Sequence, residues 1–256
     1  SRPVMTALTK ANPKLDIGTF ATGLNVWDRI DEWEDEGARP PGLRCQALKE
    51  LLGVLRPGAR HAVLDLGPPL AANIQYLAAL SCRVRIADLF RSLSVGSVES
   101  RRPEAVGALF DRLLPLAPGE RFDALLAWDV FDYMRPDQVA ALMGRLAPAC
   151  PPETPVLVLA STGRTIPATP LRYRIFDPEN LACEGPAEPT RPCPRYTQPD
   201  FRRMMAGFSI RRSILMRSGL HEYLFVRDAG DDVGPSVEAG AARGASRAPW
   251  FRRGPV

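Results

Sequence analysis

What most constrains this chain is an alternation. Short apolar runs closed by turn residues take turns with longer segments whose apolar residues recur every three to four positions. His61-Ala62-Val63-Leu64-Asp65-Leu66 is such a run, closed by Gly67, and residues 83–87, 122–127 and 155–160 are three more. Each reads as a buried strand. Leu43, Ala47, Leu48, Leu51, Leu52 and Leu55 mark one face of a helix, and residues 70–80 form a second helix. Pro103 opens a third, with Val106, Leu109, Phe110, Leu113 and Leu114 inward, and Pro136 opens a fourth, with Val139, Leu142, Met143 and Leu146 inward. Proline suits a first helical turn, where its missing N–H has no partner to lose. Strands alternating with amphipathic helices imply a parallel sheet with helices on both faces.

Residues 161–196 are rich in proline and show no clear periodicity. Thr197-Gln198-Pro199-Asp200 starts a short helix, and residues 208–216 and 221–227 read as a hairpin turning at Ser218-Gly219. The expected fold is therefore α/β: three layers, a doubly wound and mostly parallel sheet, and a C-terminal antiparallel hairpin. Residues 1–42 are read as an arm plus a flanking helix from Thr19 to Glu36, with Leu24, Trp27, Ile30 and Trp33 on one side and an acidic end. That helix suits either a plain flank or a cap over a ligand site. The domain spans residues 43–228. Residues 229–256 are poor in large apolar side chains and are read as a disordered tail.

Of 33 basic residues only Lys10, Lys14 and Lys49 are lysine. With a net charge of +4 and scattered arginines, this is read as codon composition rather than a binding surface. The tail is the exception: Arg243, Arg247, Arg252 and Arg253 surround Trp250-Phe251 with no acid among them. Three readings stay open for it: a plain end, a peptide docking on a protein partner, or weak contact with nucleic acid or an anionic membrane. No run is long and apolar enough to cross a membrane, and no secretory signal is seen, so the expected location is cytoplasmic. Five cysteines without a CxxC pair, and only two histidines, speak against a zinc site. Cys183 and Cys193 are close enough in sequence for a disulfide, with free thiols in a reducing cytoplasm preferred.

Over residues 43–227 the pattern resembles the class I S-adenosylmethionine (SAM) dependent methyltransferases. Four pieces carry the likeness: Val63-Leu64-Asp65-Leu66-Gly67, Asp88 closing the second strand, Phe122-Asp123-Ala124-Leu125-Leu126-Ala127-Trp128-Asp129, and Gly207-Phe208-Ser209-Ile210 before the hairpin. The resemblance implies that Asp65 and Gly67 begin the cofactor loop and that Asp88 accepts hydrogen bonds from the ribose. In the family that loop carries three glycines, which let the backbone approach the cofactor. Here it reads Gly67-Pro68-Pro69-Leu70-Ala71, and two prolines remove donors and fix φ. Between Asp88 and Phe122 the family places a helix, a strand and a helix. This chain offers one good helix, with residues 92–98 alternating as a short edge strand would. A sheet lacking one strand and an incomplete adenine pocket are expected.

The family's acceptor-site motifs are missing. Trp128-Asp129-Val130-Phe131 stands where base-modifying amino methyltransferases carry Asn/Asp-Pro-Pro-aromatic. The catalytic candidates are Asp129, Asp132 and Tyr133, with Asp129 and Asp132 suited to a general-base pair or to capping the Pro136 helix. Arg172, Tyr173, Arg174, His221 and Glu222 are further candidates near strand ends. A nicotinamide enzyme is excluded, since Gly67 has no partner glycines. The preferred expectation is a methyltransferase-like pseudoenzyme, a non-catalytic scaffold or partner-binding protein with a degenerate SAM site. The alternative is an active SAM-dependent methyltransferase of unknown acceptor.

Overall fold

The computed structural model describes residues 42–56, 58–95, 102–185 and 189–229. The arm and flanking helix expected before residue 42, and the expected tail with Trp250-Phe251, lie outside the described residues.

The described residues open with β1 (Leu43–Arg44) and α1 (Gln46–Val54), so Leu43 belongs to a strand and not to the helix expected there. There follow β2 (His61–Asp65), α2 (Ala71–Ala79), β3 (Cys82–Ile86), α3 (Leu89–Val95), α4 (Pro103–Leu113) and β4 (Ala124–Trp128). A 3-10 turn, Val130–Tyr133, leads into α5 (Pro136–Leu146) and β5 (Pro155–Ser161). The described part of residues 161–196, expected to be irregular, holds four strands: β6 (Thr165–Pro167), β7 (Arg172–Asp177), β8 (Asn180–Glu184) and β9 (Thr190–Pro192). The described residues close with α6 (Gln198–Met204), β10 (Phe208–Leu215) and β11 (Leu220–Arg227).

The central sheet runs β10-β11-β5-β4-β2-β3. Strands β3, β2, β4 and β5 are parallel, and β11 pairs antiparallel with both β5 and β10. This is the expected doubly wound sheet with a terminal hairpin. Among the described residues no strand lies between β3 and β4. Residues 89–95, part of which alternates like an edge strand, are the helix α3.

All five residues of β4 are buried, as a strand covered on both faces requires. On one side Leu125, Val156, Val158 and Phe225 pack with Phe110, Leu142 and Phe201 from α4, α5 and α6. On the other side Val63, Leu126, Leu157 and Leu224 pack with Leu48, Leu51 and Leu77 of α1 and α2. That second side also receives Tyr173 and Ile175 from β7. The small sheet β1-β8-β7 therefore lies over the α1–α2 layer, while β6 and β9 form a separate ribbon. The α1 helix is capped from the hairpin: Glu222, buried on β11, accepts from the N–H groups of Gln46 (3.3 Å) and Ala47 (3.5 Å). A carboxylate at a helix N-terminus meets the positive end of the helix dipole.

Candidate functional site

The site inferred from sequence lies at the carboxyl ends of β2 and β4, and its centre is Asp65. The carboxylate is buried, and its Oδ1 accepts from the N–H of Gly67 (2.9 Å) and from the indole Nε1 of Trp128 (2.8 Å). Burial pushes the Asp65 carboxyl up to about 7, with the two hydrogen bonds acting against it and Asp88 adding to it.

Trp128 reaches Asp65 because the end of β4 is irregular. The β4–β5 register shifts between Leu126 and Trp128, and Trp128 adopts φ +48°. A bulge with a left-handed non-glycine residue re-aims its side chain at a cost of order 1–3 kcal/mol. The indole turns over the first loop. A Cβ placed on Gly67 would stand 2.6 Å from Trp128 Cδ1, so the open face of Gly67 is already in contact with the ring.

Tyr173 of β7 stacks on the indole, with ring centroids 5.6 Å apart and planes 8° from parallel. Asn73 holds β7 in place. Its side-chain amide donates to the carbonyl of Tyr173 (2.8 Å) and accepts from the N–H of Ile175 (2.8 Å). One buried asparagine thus fastens the insertion to the first turn of α2, beside Pro68-Pro69. Asn73→Ala leaves two buried backbone groups without partners, each costing about 1–3 kcal/mol. The expected result is faster amide exchange across residues 172–177 while β2 and β4 stay protected. Unchanged exchange there would show that the asparagine does not secure β7.

Asp129 and Asp132, expected as a general-base pair or as caps of the Pro136 helix, are both buried after β4, and the capping role is corrected by the structure. They neither cap α5 nor face solvent; α5 is closed by the exchange between Arg135 and Gln138. Asp129 Oδ2 accepts from the N–H of Leu171 (3.1 Å) and Asp132 Oδ2 from the N–H of Ser161 (2.7 Å). Asp132 therefore grips the end of β5 and Asp129 the residue before β7, holding the segment 161–177 at two points. Burial pushes both up to about 7. Their second oxygens, Asp129 Oδ1 and Asp132 Oδ1, are buried without a hydrogen-bond partner, as is the hydroxyl of Tyr173.

Tyr133 also supports the insertion. Its hydroxyl lies 3.1 Å and 3.0 Å from the carbonyls of Pro167 and Thr169. Asp88 is half-buried at the end of β3, where its Oδ1 accepts from the N–H of Arg91 (3.3 Å) in the first turn of α3. The other candidates are not gathered here. Arg172 begins β7 half-buried, and Arg174 is exposed with its guanidinium 5.1 Å over Phe176. His221 sits on the hairpin, its Nε2 2.7 Å from Ser213 Oγ, with its pKa lowered by burial. Glu222 faces α1. All five cysteines are free, and no group of three or more metal-ligating side chains occurs among the described residues.

The structure joins Asp65 to Gly67 and leaves Asp88 at the end of β3, while sequence reasoning missed Trp128 and Asn73 as the residues that shape this region. The one usable signal for Trp128 was an indole directly after a buried strand.

No protein-family model matches the sequence, and no curated protein matches it. Solved structures do resemble the fold. One is the 1,6-didemethyltoxoflavin-N1-methyltransferase of Burkholderia thailandensis, 18% identical over 72% of this chain and 79% of that one, with a TM-score of 0.39. Others are a TehB-like SAM-dependent methyltransferase from Corynebacterium glutamicum (12%; 71% and 88%; 0.40) and magnesium protoporphyrin IX methyltransferase from Synechocystis PCC 6803 (14%; 72% and 77%; 0.39). Likenesses of this size say nothing about activity, cofactor or substrate. The chain's own strand order and terminal hairpin define a class I methyltransferase-like fold. No described helix is long and apolar enough to cross a membrane.

Proposed function

We propose that this chain is a methyltransferase-like protein whose cofactor site is closed by its own side chains, and that it acts as a non-catalytic scaffold for a partner. One observation carries the reading: the Trp128 indole donates to Asp65 and rests against Gly67, on the face that the resembled enzymes keep open for SAM. The Trp128–Tyr173 stack, the Asn73 fastening and Pro68-Pro69 all favour the same state. Asp88 keeps its expected place but spends one oxygen on α3. Five free cysteines favour a reducing compartment such as the cytoplasm.

The test is calorimetry with SAM and with its demethylated product, S-adenosylhomocysteine. No heat of binding is expected at millimolar ligand. Micromolar binding that Asp88→Ala abolishes would overturn the scaffold reading in favour of an active methyltransferase.

A further inference from the structure

His221 takes no part in the Asp65 region, but on the hairpin it meets a hydroxyl. Its Nε2 lies 2.7 Å from Ser213 Oγ, and its Nδ1 lies 3.2 Å from the Tyr223 hydroxyl. Strand register brings the three together. Ser213 pairs with Tyr223 and Leu215 with His221, so all four side chains share one face of the β10–β11 ladder. The irregularity in β10 between Ile210 and Arg212 sets the phase. It shifts the alternation by one residue, so Arg212 faces α1, where it pairs with Glu50, and Ser213 faces α6. From α6, Gln198 Nε2 donates to Ser213 Oγ (2.7 Å).

A serine hydroxyl attacks an acyl carbon when a neighbouring base takes its proton and a third group orients that base. His221 fits the base. Its ring stacks on Tyr223, with centroids 4.3 Å apart and planes 19° from parallel, and Tyr223 is itself buried. Burial lowers the His221 pKa, so the imidazole is neutral near pH 7. Gln198 fills one acceptor position of Ser213 Oγ. When the His221 Nδ1 proton is given to Tyr223, the serine proton points at Nε2. Ser213 and His221 are both half-buried and so reach solvent. Leu215, beside His221 on the same face, is 64% exposed and offers an apolar contact for a short acyl chain.

We propose that Ser213 and His221 form a nucleophile and general base that cleave short, uncharged carboxylic esters. Ser213 Oγ bonds to the carbonyl carbon while its proton passes to His221 Nε2. The carbonyl oxygen takes the negative charge, with the Gln198 amide placed to donate to it. As the carbonyl re-forms, the ester C–O bond breaks, and the leaving alcohol takes the proton from His221. Water, giving a proton to the same nitrogen, then releases the carboxylic acid and restores Ser213. The site stands apart from the closed SAM site. Tyr223 belongs to the core on the α4–α6 side of the sheet and Trp128 to the core on the α1–α2 side. A chain that is non-catalytic as a methyltransferase can still carry a nucleophile on its hairpin, and SAM calorimetry bears on the first site alone.

The test is a short-chain alkyl fluorophosphonate, which reacts with activated serines, incubated with the full chain and read by peptide mass spectrometry. One adduct per chain is expected, on Ser213, and none in urea. His221→Gln should slow its formation by about 100-fold, the lower end of what a positioned base supplies. Because that change also removes a stacked ring, Tyr223→Phe provides a milder arm. It drops the hydroxyl facing Nδ1 and should slow labelling while the circular dichroism spectrum stays that of the parent. Hydrolysis of p-nitrophenyl butyrate should disappear in Ser213→Ala. No adduct on Ser213 in the parent would overturn the proposal. So would an adduct formed at the parent's rate in both His221→Gln and Tyr223→Phe, which would leave the contact as a hydrogen bond that only ties the hairpin.

Discussion

Trp128→Ala is expected to destabilise the protein by about 3–5 kcal/mol, the range for truncating a large buried aromatic. For a domain of this size the unfolding midpoint should fall by roughly 6–20 °C. Three losses combine. The indole is only 3% exposed, so its removal leaves a cavity at the end of β4. Tyr173 loses the ring it stacks on. Asp65 loses one of its two donors while staying buried. Trp128→Phe separates these terms in part, because it keeps an aromatic ring for Tyr173 while losing the N–H and some of the indole's volume, and about 1–3 kcal/mol is expected from the lost hydrogen bond. Thermal denaturation followed by circular dichroism measures both. Were Trp128→Ala to melt like the parent, the indole would not be what closes the site, and the scaffold reading would lose its main support.

The residues that organise this site differ in how far sequence could expose them. Asp65 and Gly67 were legible because they end an apolar run, and a strand end is a local pattern. Asp88 was legible for the same reason, and its rival role as the start of a helix is the one the structure adds. Trp128 was not legible as a plug. Its role depends on a positive φ and a register shift, and neither leaves a mark in residue order. Asn73 sits on a helix whose pattern says only that it faces inward, and the backbone it grips is a hundred residues away. The β7 strand did carry a period-two signal, with Tyr173 and Ile175 inward and Arg172 and Arg174 at the alternate positions. Prolines on either side hid it, although proline is compatible with short ribbon strands such as β6 and β9. Local periodicity thus specified the sheet and its helices. The closure of the site came from long-range contacts, where sequence offers composition and little else.

Stability should fall as pH rises from about 5 to 8, the reverse of the usual carboxylate effect. Burial disfavours the charged forms of Asp65, Asp129 and Asp132 and pushes each carboxyl up to about 7 in the folded protein. In the unfolded chain an aspartate titrates near 3.9. Between these values the folded state holds protons that the unfolded state has released, so the slope of stability with pH is negative. The protonated forms stabilise the fold at low pH, and that contribution is lost as pH climbs through about 7. Each group gives up on the order of 1.4 kcal/mol per pH unit within the window. Groups shifted the other way do not cancel this. Asp137 and Asp200 are lowered by Arg135 and Thr197 respectively, and their effect is complete well below pH 5. His221 is lowered by burial and adds stability with rising pH, but it is one half-buried ring against three carboxyls. Urea midpoints at pH 5 and pH 8 give the sign directly. Asp132→Asn keeps an oxygen for the Ser161 N–H and cannot ionise, so it should flatten the slope by about a third and exceed the parent in stability at pH 8. A parent that gains stability from pH 5 to 8, with Asp132→Asn weaker than it at pH 8, would mean these carboxyls are ionised inside the fold. The insertion would then be held over the strand ends by two buried charges instead of two neutral hydrogen-bonding acids, and the unpartnered oxygens of Asp129 and Asp132 would require a cation to balance them.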